Sequence, residues 1–428
     1  MYLKGEIRVP SDKSISHRAI IIGSLSDGSV RVKHWLRSAD TMATLNIYRQ
    51  LGVSIKELSE DELLIKGKGL FSFREPKDIL NAENSGTTTR LTLGVLAAQP
   101  FFSVLTGDES LRRRPMLRVV KPLREMGALI DGREEGNLLP IAVRGSKLKG
   151  ISFFNKKASA QVKSALLLAG LHAEGLTEVE EPYLSRDHTE RMLQLFEVRL
   201  DIVPLEKGIL VKLKGPQQPV GDKEIFVPAD PSSAAFFAAA AILLSGSEIV
   251  LKDVLINPTR DGFFRKLQEM GANIEYTNVR ELSMEPVADI VVKYSPNLKG
   301  VKVSAEEVPA MIDELPLLAV VATQAEGETR IEGAAELRVK ESDRIKATVE
   351  NLQKMGANIE ELPDGMVIKG KTPLRGNVKI TTYDDHRIAM AFSIAGLIAD
   401  GPVELDNPKC VAVSYPQFFK DLKKLLLI

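Results

Sequence analysis

The sequence predicts an α/β protein of two similar domains, each assembled from three copies of one supersecondary unit. Three observations carry this expectation: a helix-end signature that recurs along the chain, a polar helix start at a near-fixed distance upstream of each recurrence, and short strand-like runs between them. The helix end reads Leu-x-x-Met-Gly-Ala-x-Ile. It appears as Leu123–Ile130, Leu267–Ile274 and Leu352–Ile359, with a variant at Tyr48–Ile55 and weaker copies at Leu193–Leu200 and Leu422–Ile428. Each fits an amphipathic helix stopped by a C′ glycine and followed by a strand. In the copy at Leu193–Leu200, Glu197 replaces the glycine. The markers at positions 52, 127, 197, 271, 356 and 426 lie 70 to 85 residues apart, so six units of about 71 residues account for the chain.

Each marker has a companion 38 to 43 residues upstream, where a polar or basic stretch opens an Ala/Leu-rich helix: Lys13, Gly86, Ser159, Pro231, Asp313 and His386. These helices are apolar nearly all round and are expected to be buried. Runs such as Leu63–Ile65, Ile141–Val143, Ile209–Leu213, Ile290–Val292 and Met366–Ile368 read as strands, several followed by glycine-rich turns. The unit therefore reads buried helix, strands, outer helix, strands. Pro228 and Pro231 interrupt the pattern midway. One domain is expected to span 12–228 and the other 1–11 with 229–428, the first strand, Tyr2–Val9, joining the later repeats. Three buried helices side by side would bring their positive N-terminal ends to one face of each domain.

Composition narrows the function. At 428 residues the chain suits two domains of about 200 residues each. Lys plus Arg and Asp plus Glu both number 57, so no overall charge draws the protein toward nucleic acid or an anionic membrane. The single cysteine, Cys410, excludes an intramolecular disulfide and a cysteine-based metal site, which suits a reducing cytoplasm. The N-terminus is charged at once and lacks the apolar core of a secretory signal, and the most apolar run, Ala234–Leu244, has 11 residues, too few to span a bilayer. A cytoplasmic monomer without a membrane partner is expected. The histidines show no zinc-type spacing, and neither a P-loop nor a Gly-x-Gly-x-x-Gly occurs.

Local motifs supply candidate chemistry. In residues 10–19, Ser11 and Asp12 are candidate N-caps, and Lys13, Ser14, His17 and Arg18 share one face of the first turns. Alone this is either a capped surface helix or a helix start built to meet an anion; its recurrence favours the second. In Glu83–Arg90 small residues and Gly86 let a ligand approach backbone N–H groups, although a tight strand-to-helix turn has the same composition. Leu111–Pro115 carries three arginines, either a solvated basic loop or an anion clamp. Lys340–Arg344 alternates charge as a surface salt-bridge helix does. Tyr383–Arg387 sets a charged cluster before a strongly apolar helix. Asp313 sits among apolar residues, either as an N-cap or as a carboxylate whose pKa is raised for proton transfer.

The segments SDKSISHRA, NSGTTTR, RRRPM, ASAQVKSA, VKESDRI and DDHRIAMAF, in this order over the full length, together resemble the 5-enolpyruvylshikimate-3-phosphate synthase family, a resemblance that covers essentially the whole chain. The resemblance implies domains of the inside-out α/β barrel type, built of βαβαββ-type units with buried parallel helices whose N-termini face an interdomain cleft holding the active site. It implies transfer of the enolpyruvyl group of phosphoenolpyruvate to the 5-hydroxyl of shikimate 3-phosphate through a tetrahedral intermediate, without metal or organic cofactor. By motif match, Lys13, Ser14, Arg18, Ser159, Gln161, Arg186, Asp313 and Lys340 would meet shikimate 3-phosphate. Lys13, Gly86, Arg114, Gln161, Arg344 and Arg387 would meet phosphoenolpyruvate. Asp313 would accept the 5-hydroxyl proton, Glu341 would exchange protons at the phosphoenolpyruvate methylene, and Lys13 would touch both substrates. Domain closure on binding is expected as well, because arginines from both halves would have to converge on one ligand.

The chain departs from the family pattern at four positions. Glu83 stands where glycine is frequent, Ala160 where some members have serine, Glu336 where an asparagine occurs and Val413 where some carry a lysine. Two rival readings are an enolpyruvyl transferase acting on UDP-N-acetylglucosamine and a non-catalytic anion-binding repeat protein. The first lacks its usual loop cysteine within Asp108–Pro115; against the second stand Asp313 and Glu341, retained among the cations.

Overall fold

The computed structural model describes residues 1–427. The chain forms two compact units, one comprising Met1–Pro10, Pro228–Glu281 and the chain from Pro286 onward, the other Ser11–Val227 with Leu282–Glu285. The short segment 282–285 belongs with the second unit through local bonds: the backbone N–H of Phe226 donates to Ser283 Oγ at 2.8 Å, Arg191 Nη1 donates to the Met284 carbonyl at 2.9 Å, and His188 Nδ1 lies 2.7 Å from Glu285 Oε1.

Three four-stranded sheets of the Ser11–Val227 unit share one topology. In one the order is Leu80–Asn81, Phe102–Thr106, Leu138–Arg144, Leu129–Gly132, the first pair parallel and the other two antiparallel. A parallel pair needs a crossover, and the helix Gly86–Leu96 supplies it. The sheet of Ser152–Phe154, Gly175–Glu181, Ile209–Gly215 and Leu200–Pro204 repeats this around the helix Ala160–Gly170. The third sheet repeats it with an exchange. Beside Ser29–Lys33, which follows the helix Lys13–Leu25, the parallel position is filled by Lys223–Phe226, from the far end of the unit.

The other unit receives the displaced strand. Tyr2–Ile7 pairs parallel with Glu248–Leu255, so that Lys4 faces Glu248, and its other edge pairs antiparallel with Leu426–Leu427. A second sheet, Lys302–Val303, Gly327–Ile331, Gly365–Gly370 and Asn358–Leu362, has the common topology. The last repeat is cut short. Its parallel pair Val378–Ile380 and Val403–Leu405 stands alone, and the chain continues into the short 3-10 segment Pro408–Val413 and the helix Phe418–Leu425. The final marker therefore lacks the common geometry, and its last residue, Ile428, lies outside the described residues.

The core of each unit is a set of three inner helices with the sheets outside them. Lys13–Leu25, Gly86–Leu96 and Ala160–Gly170 form one set, and Pro231–Leu243, Leu315–Ala322 and His386–Ile398 the other, with the helices of each set packed on one another. Pro231–Ile242 and the whole of Leu315–Ala322 are buried, which is why neither has a polar face. Small residues allow the close approach. A Cβ on Gly94 would stand 2.2 Å from the Ala165 carbonyl oxygen, so only glycine permits this contact.

The repeated helix ends also have a common geometry. Gly52, Gly127, Gly271 and Gly356 have φ of +90°, +105°, +93° and +81°, in the left-handed region. In each the glycine N–H donates to the carbonyl three residues back, and the next N–H to the carbonyl five back, as between Gly271 and Gln268 and between Ala272 and Leu267. Glu197 adopts the same turn at φ +62° without glycine. The motif's second residue has a part as well: the side chains of Arg49, Arg124, Gln268 and Gln353 donate to the carbonyls of Ile55, Ile130, Ile274 and Ile359, each six residues on.

Candidate active site

In the Ser11–Val227 unit two of the three inner helix starts are capped by short side chains, and cationic side chains gather near them. Asp12 caps Lys13–Leu25 by accepting from the Ile15 N–H at 2.8 Å, and Ser85 caps Gly86–Leu96 by accepting from the Thr88 N–H. Ser159 is the N-cap residue of Ala160–Gly170 but makes no side-chain capping bond. Lys13 Nζ is 2.8 Å from Asp40 Oδ2. Arg18 is buried, its Nε donating to Thr189 Oγ1 at 2.7 Å, Nη2 to Ser164 Oγ at 2.8 Å and Nη1 to the Ser14 carbonyl at 2.9 Å. Those partners are all neutral. Burial pulls the guanidinium down to about 10, with Glu190 and Asp12 opposing that pull and the like charge of Arg186 adding to it. Arg18 thus remains cationic at neutral pH.

Gly86 opens the second helix under two guanidinium groups. A Cβ there would lie 3.0 Å from Arg90 Nη1 and 3.7 Å from Arg114 Nη1, so glycine lets both guanidinium groups come close to the backbone at this helix start. Arg114 Nη2 donates to Asn84 Oδ1 at 2.7 Å, and Arg90 Nη1 donates to Gln161 Oε1 at 2.6 Å. The Gln161 amide in turn donates to Thr87 Oγ1 at 3.0 Å, which joins the second and third helix starts. Of the three arginines at 112–114, Arg112 and Arg113 are exposed, Arg113 pairing with Glu109, and only Arg114 turns toward Gly86. Glu83 takes φ +51°, and its carboxylate accepts from Asn81 Nδ2 at 2.8 Å, so an amide rather than a cation holds it. Ala160 is half-buried at the first turn of its helix.

The other unit builds its helix starts from carboxylate–guanidinium pairs. Asp230 caps Pro231–Leu243 and accepts from Arg260 Nη2 at 3.0 Å. Asp385 caps His386–Ile398 through the Arg387 N–H at 2.9 Å and receives Arg344 in a two-point pair, at 2.8 and 3.2 Å. Arg344, 1% exposed, also donates to Glu341 Oε2 at 2.7 Å and Asp313 Oδ1 at 3.1 Å. Burial works against its charge, but Asp385, Glu341 and Asp313 together outweigh that and raise its pKa.

Asp313 therefore does not sit in the apolar setting expected of it, nor is it an N-cap. It lies in the 3-10 turn Ile312–Glu314, facing Arg344 and, at 3.7 Å, Lys340. The buried carboxyl is its neighbour Glu314, at the N-cap position of Leu315–Ala322, whose pKa burial and the Asp313 charge push up. Lys340-Glu341-Ser342-Asp343-Arg344 is not a surface helix throughout: the helix starts at Arg344, with Asp343 as its cap. Glu336 lies half-buried in the 3-10 segment Ala335–Val339, and Val413 ends another. Asp40, Arg90, Thr189 and Arg260 were not assigned from sequence. Only the position of Arg90, one helical turn beyond Gly86, hinted at its place.

Among the described residues no cluster of His, Cys, Asp and Glu is arranged to hold a metal ion, and no helix is long and apolar enough to cross a membrane. One unit gathers cationic side chains at its helix starts, chemistry suited to anions, and the other, taken by itself, sets carboxylates beside buried arginines, chemistry suited to proton transfer.

Solved structures define the class. The enolpyruvyl transferase NikO from Streptomyces tendae matches with a TM-score of 0.78 at 16% identity over 99% of this chain and 95% of that one, a likeness of fold. EPSP synthase from Acinetobacter baumannii matches with a TM-score of 0.88 at 44% identity, covering 99% of this chain and 96% of that one. Relatives named 3-phosphoshikimate 1-carboxyvinyltransferase are 62% identical in Persephonella marina and 60% identical in Aquifex aeolicus, each over 99% of this chain and 97% of the relative. The family model of EPSP synthase (3-phosphoshikimate 1-carboxyvinyltransferase) matches residues 1–422, and the chain belongs to that family.

Proposed function

We propose that this chain transfers the enolpyruvyl group of phosphoenolpyruvate to the 5-hydroxyl of shikimate 3-phosphate, releasing phosphate, as a step of aromatic amino acid biosynthesis. The observation that carries this reading is the 62% identity, over 99% of the chain, to a 3-phosphoshikimate 1-carboxyvinyltransferase. Both substrates are multiply anionic, and the cationic helix starts around Lys13, Arg18, Gly86 and Arg114 suit them. We assign Lys13, Ser14, Arg18, Ser159, Gln161, Arg186, Asp313 and Lys340 to shikimate 3-phosphate and Lys13, Gly86, Arg114, Gln161, Arg344 and Arg387 to phosphoenolpyruvate.

In the reaction so assigned, a proton delivered to the methylene carbon of phosphoenolpyruvate makes the neighbouring carbon electrophilic, and the 5-hydroxyl adds to it while Asp313 takes the hydroxyl proton. The resulting ketal phosphate then expels phosphate as a proton leaves the new methyl group, restoring the enol double bond. Glu341 exchanges that proton, and the guanidinium and ammonium groups stabilise the charge that moves onto the leaving phosphate. Arg344, bonded to Asp313, Glu341 and Asp385 at once, fixes both reacting carboxylates in direction.

The test is phosphate release from phosphoenolpyruvate in the presence of shikimate 3-phosphate. Asp313→Ala is expected to lower kcat by about 10²- to 10⁴-fold, and Lys13→Ala to damage KM for both substrates as well as kcat. Release that required UDP-N-acetylglucosamine instead would overturn the assignment. We further propose a cytoplasmic monomer, consistent with the single buried cysteine Cys410, and size-exclusion chromatography with light scattering reads the oligomeric state.

A further inference from the structure

Three residues assigned above to shikimate 3-phosphate, Ser159, Arg186 and Arg18, border one buried cluster in the Ser11–Val227 unit that takes no part in the chemistry so far described. Its centre is Lys163, one turn beyond Ser159 in the helix Ala160–Gly170, with Nζ 2.9 Å from Glu181 Oε2 and 2.7 Å from Glu190 Oε1. The side chains of Lys163 and Glu181 have no exposed surface, and Glu190 has 1%. Burial opposes the ammonium charge, but Glu190 and Glu181 outweigh it, so Lys163 stays charged.

Each arm of the cluster ends at a substrate candidate. Glu181 Oε1 accepts from Asn155 Nδ2 at 2.7 Å, and the same Nδ2 donates to the Ser159 carbonyl at 3.0 Å while Asn155 Oδ1 accepts from the Ser159 N–H at 3.3 Å. Asn155 thus clasps the Ser159 backbone on both sides, and the Ser159 hydroxyl makes no capping bond. Glu181 also accepts from Ser185 Oγ at 2.8 Å and from the Ser185 N–H at 3.2 Å, which anchors the residue before Arg186. Glu190 is on the helix His188–Leu195 beside Thr189, whose Oγ1 holds Arg18 Nε and lies 2.7 Å from Ser164 Oγ.

We propose that Lys163 and Glu181, acting through Asn155 and Ser185, are positioning residues that set Ser159 and Arg186 for shikimate 3-phosphate, and that they have no such effect on phosphoenolpyruvate. A buried ion pair is weak evidence of stabilisation by itself, since two desolvated charges often do no better than an apolar pair. What this one supplies is geometry: two loop segments and two helices are referred to a single buried point. The inference rests on the reading of function above.

The experiment compares Asn155→Ala and Ser185→Ala with the unmodified chain in steady-state kinetics and in calorimetric titration with shikimate 3-phosphate alone. Each variant removes bonds at the edge of the cluster and leaves the ion pair whole, so folding is expected to persist, as circular dichroism checks; Lys163→Met leaves two buried carboxylates unpaired and serves only as a third arm if it folds. For either edge variant, KM and Kd for shikimate 3-phosphate are expected to rise about tenfold, as loss of a hydrogen bond or two implies, with KM for phosphoenolpyruvate and kcat within about twofold of the unmodified values. Unchanged affinity for shikimate 3-phosphate in both edge variants overturns the proposal, as do equal rises in the two KM values, which a loosened fold produces. An unmodified chain that binds no shikimate 3-phosphate in the same titration overturns the functional reading first, and this inference with it.

Discussion

His17 separates what a motif announces from what a residue does. It lies in the stretch Pro10–Ala19 that marks the first helix start, yet it is wholly buried, with Nδ1 2.7 Å from Thr44 Oγ1, and burial drives its pKa down to about 3. It is neutral in the folded protein throughout the working range, and its place in the motif is to pack and to hold Thr44, which in turn lies 2.6 Å from Thr88 Oγ1. The consequence is a pH dependence with a definite sign. Below its ordinary pKa of 6.5 the unfolded chain takes a proton on His17 that the folded chain refuses, so the stability it contributes is present above 6.5 and is lost as pH falls toward 3. The loss is about 1.4 kcal/mol per pH unit in that window, or about 2 kcal/mol between pH 6.5 and 5. Buried His172 shifts in the same direction, so the check is a comparison: urea unfolding from pH 7 to 5 is expected to be less pH-dependent in His17→Gln than in the unmodified chain. At this scale the sequence showed which helix starts matter, because charged and small residues before apolar helices stand out. It did not show that Asp313 faces Arg344 and Lys340, since those partners come from a segment about thirty residues away, and nothing in Met311–Pro316 itself discloses them.

The recurring helix end is the clearest case of an element written in its own residues. A left-handed turn, a glycine to permit it, and an Arg or Gln that reaches six residues forward are all local, so the repeat could be read without tertiary information. Glu197 tests the physical account, because it has the same turn with a side chain that disfavours it. Its carboxylate pairs with Lys223 at 2.6 Å on an exposed surface, a bond worth little. Glu197→Gly is expected to be more stable than Glu197→Ala by about 1 kcal/mol, since both lose the ion pair and only alanine keeps the strained Cβ. Thermal or chemical denaturation of the two variants measures the difference. Strand pairing was less legible at this scale. The runs read as strands do form strands, but their partners are set by contacts between distant segments, and no local pattern separates the strand Tyr2–Ile7 from its counterpart Lys223–Phe226.

For the whole molecule, that exchange of strands decides how the two units are completed. The Ser11–Val227 segment contains all three inner helices and all twelve strands of its three sheets, including Lys223–Phe226, and lacks only Leu282–Glu285. A fragment of residues 11–227 is therefore expected to fold alone with a cooperative thermal transition, losing the bonds of Phe226, Arg191 and His188 to Ser283, Met284 and Glu285. A fragment without protected amides in hydrogen exchange would contradict this. The sixfold repeat was legible because six copies reinforce one weak signal. The shortened last repeat was not, because Val403–Leu405 and the helix Phe418–Leu425 resemble their counterparts in composition while the intervening antiparallel pair is missing among the described residues. The same exchange bears on the order in which the protein is made. Tyr2–Ile7 leaves the ribosome before the partners it needs, because its neighbours Glu248–Leu255 and Leu426–Leu427 are translated far later. At synthesis rates of roughly 5 to 20 residues per second, the first strand waits on the order of tens of seconds for its first partner. Over that interval the Ser11–Val227 segment has emerged and can close its own sheets, so a strand made before that whole segment finds its place only after it.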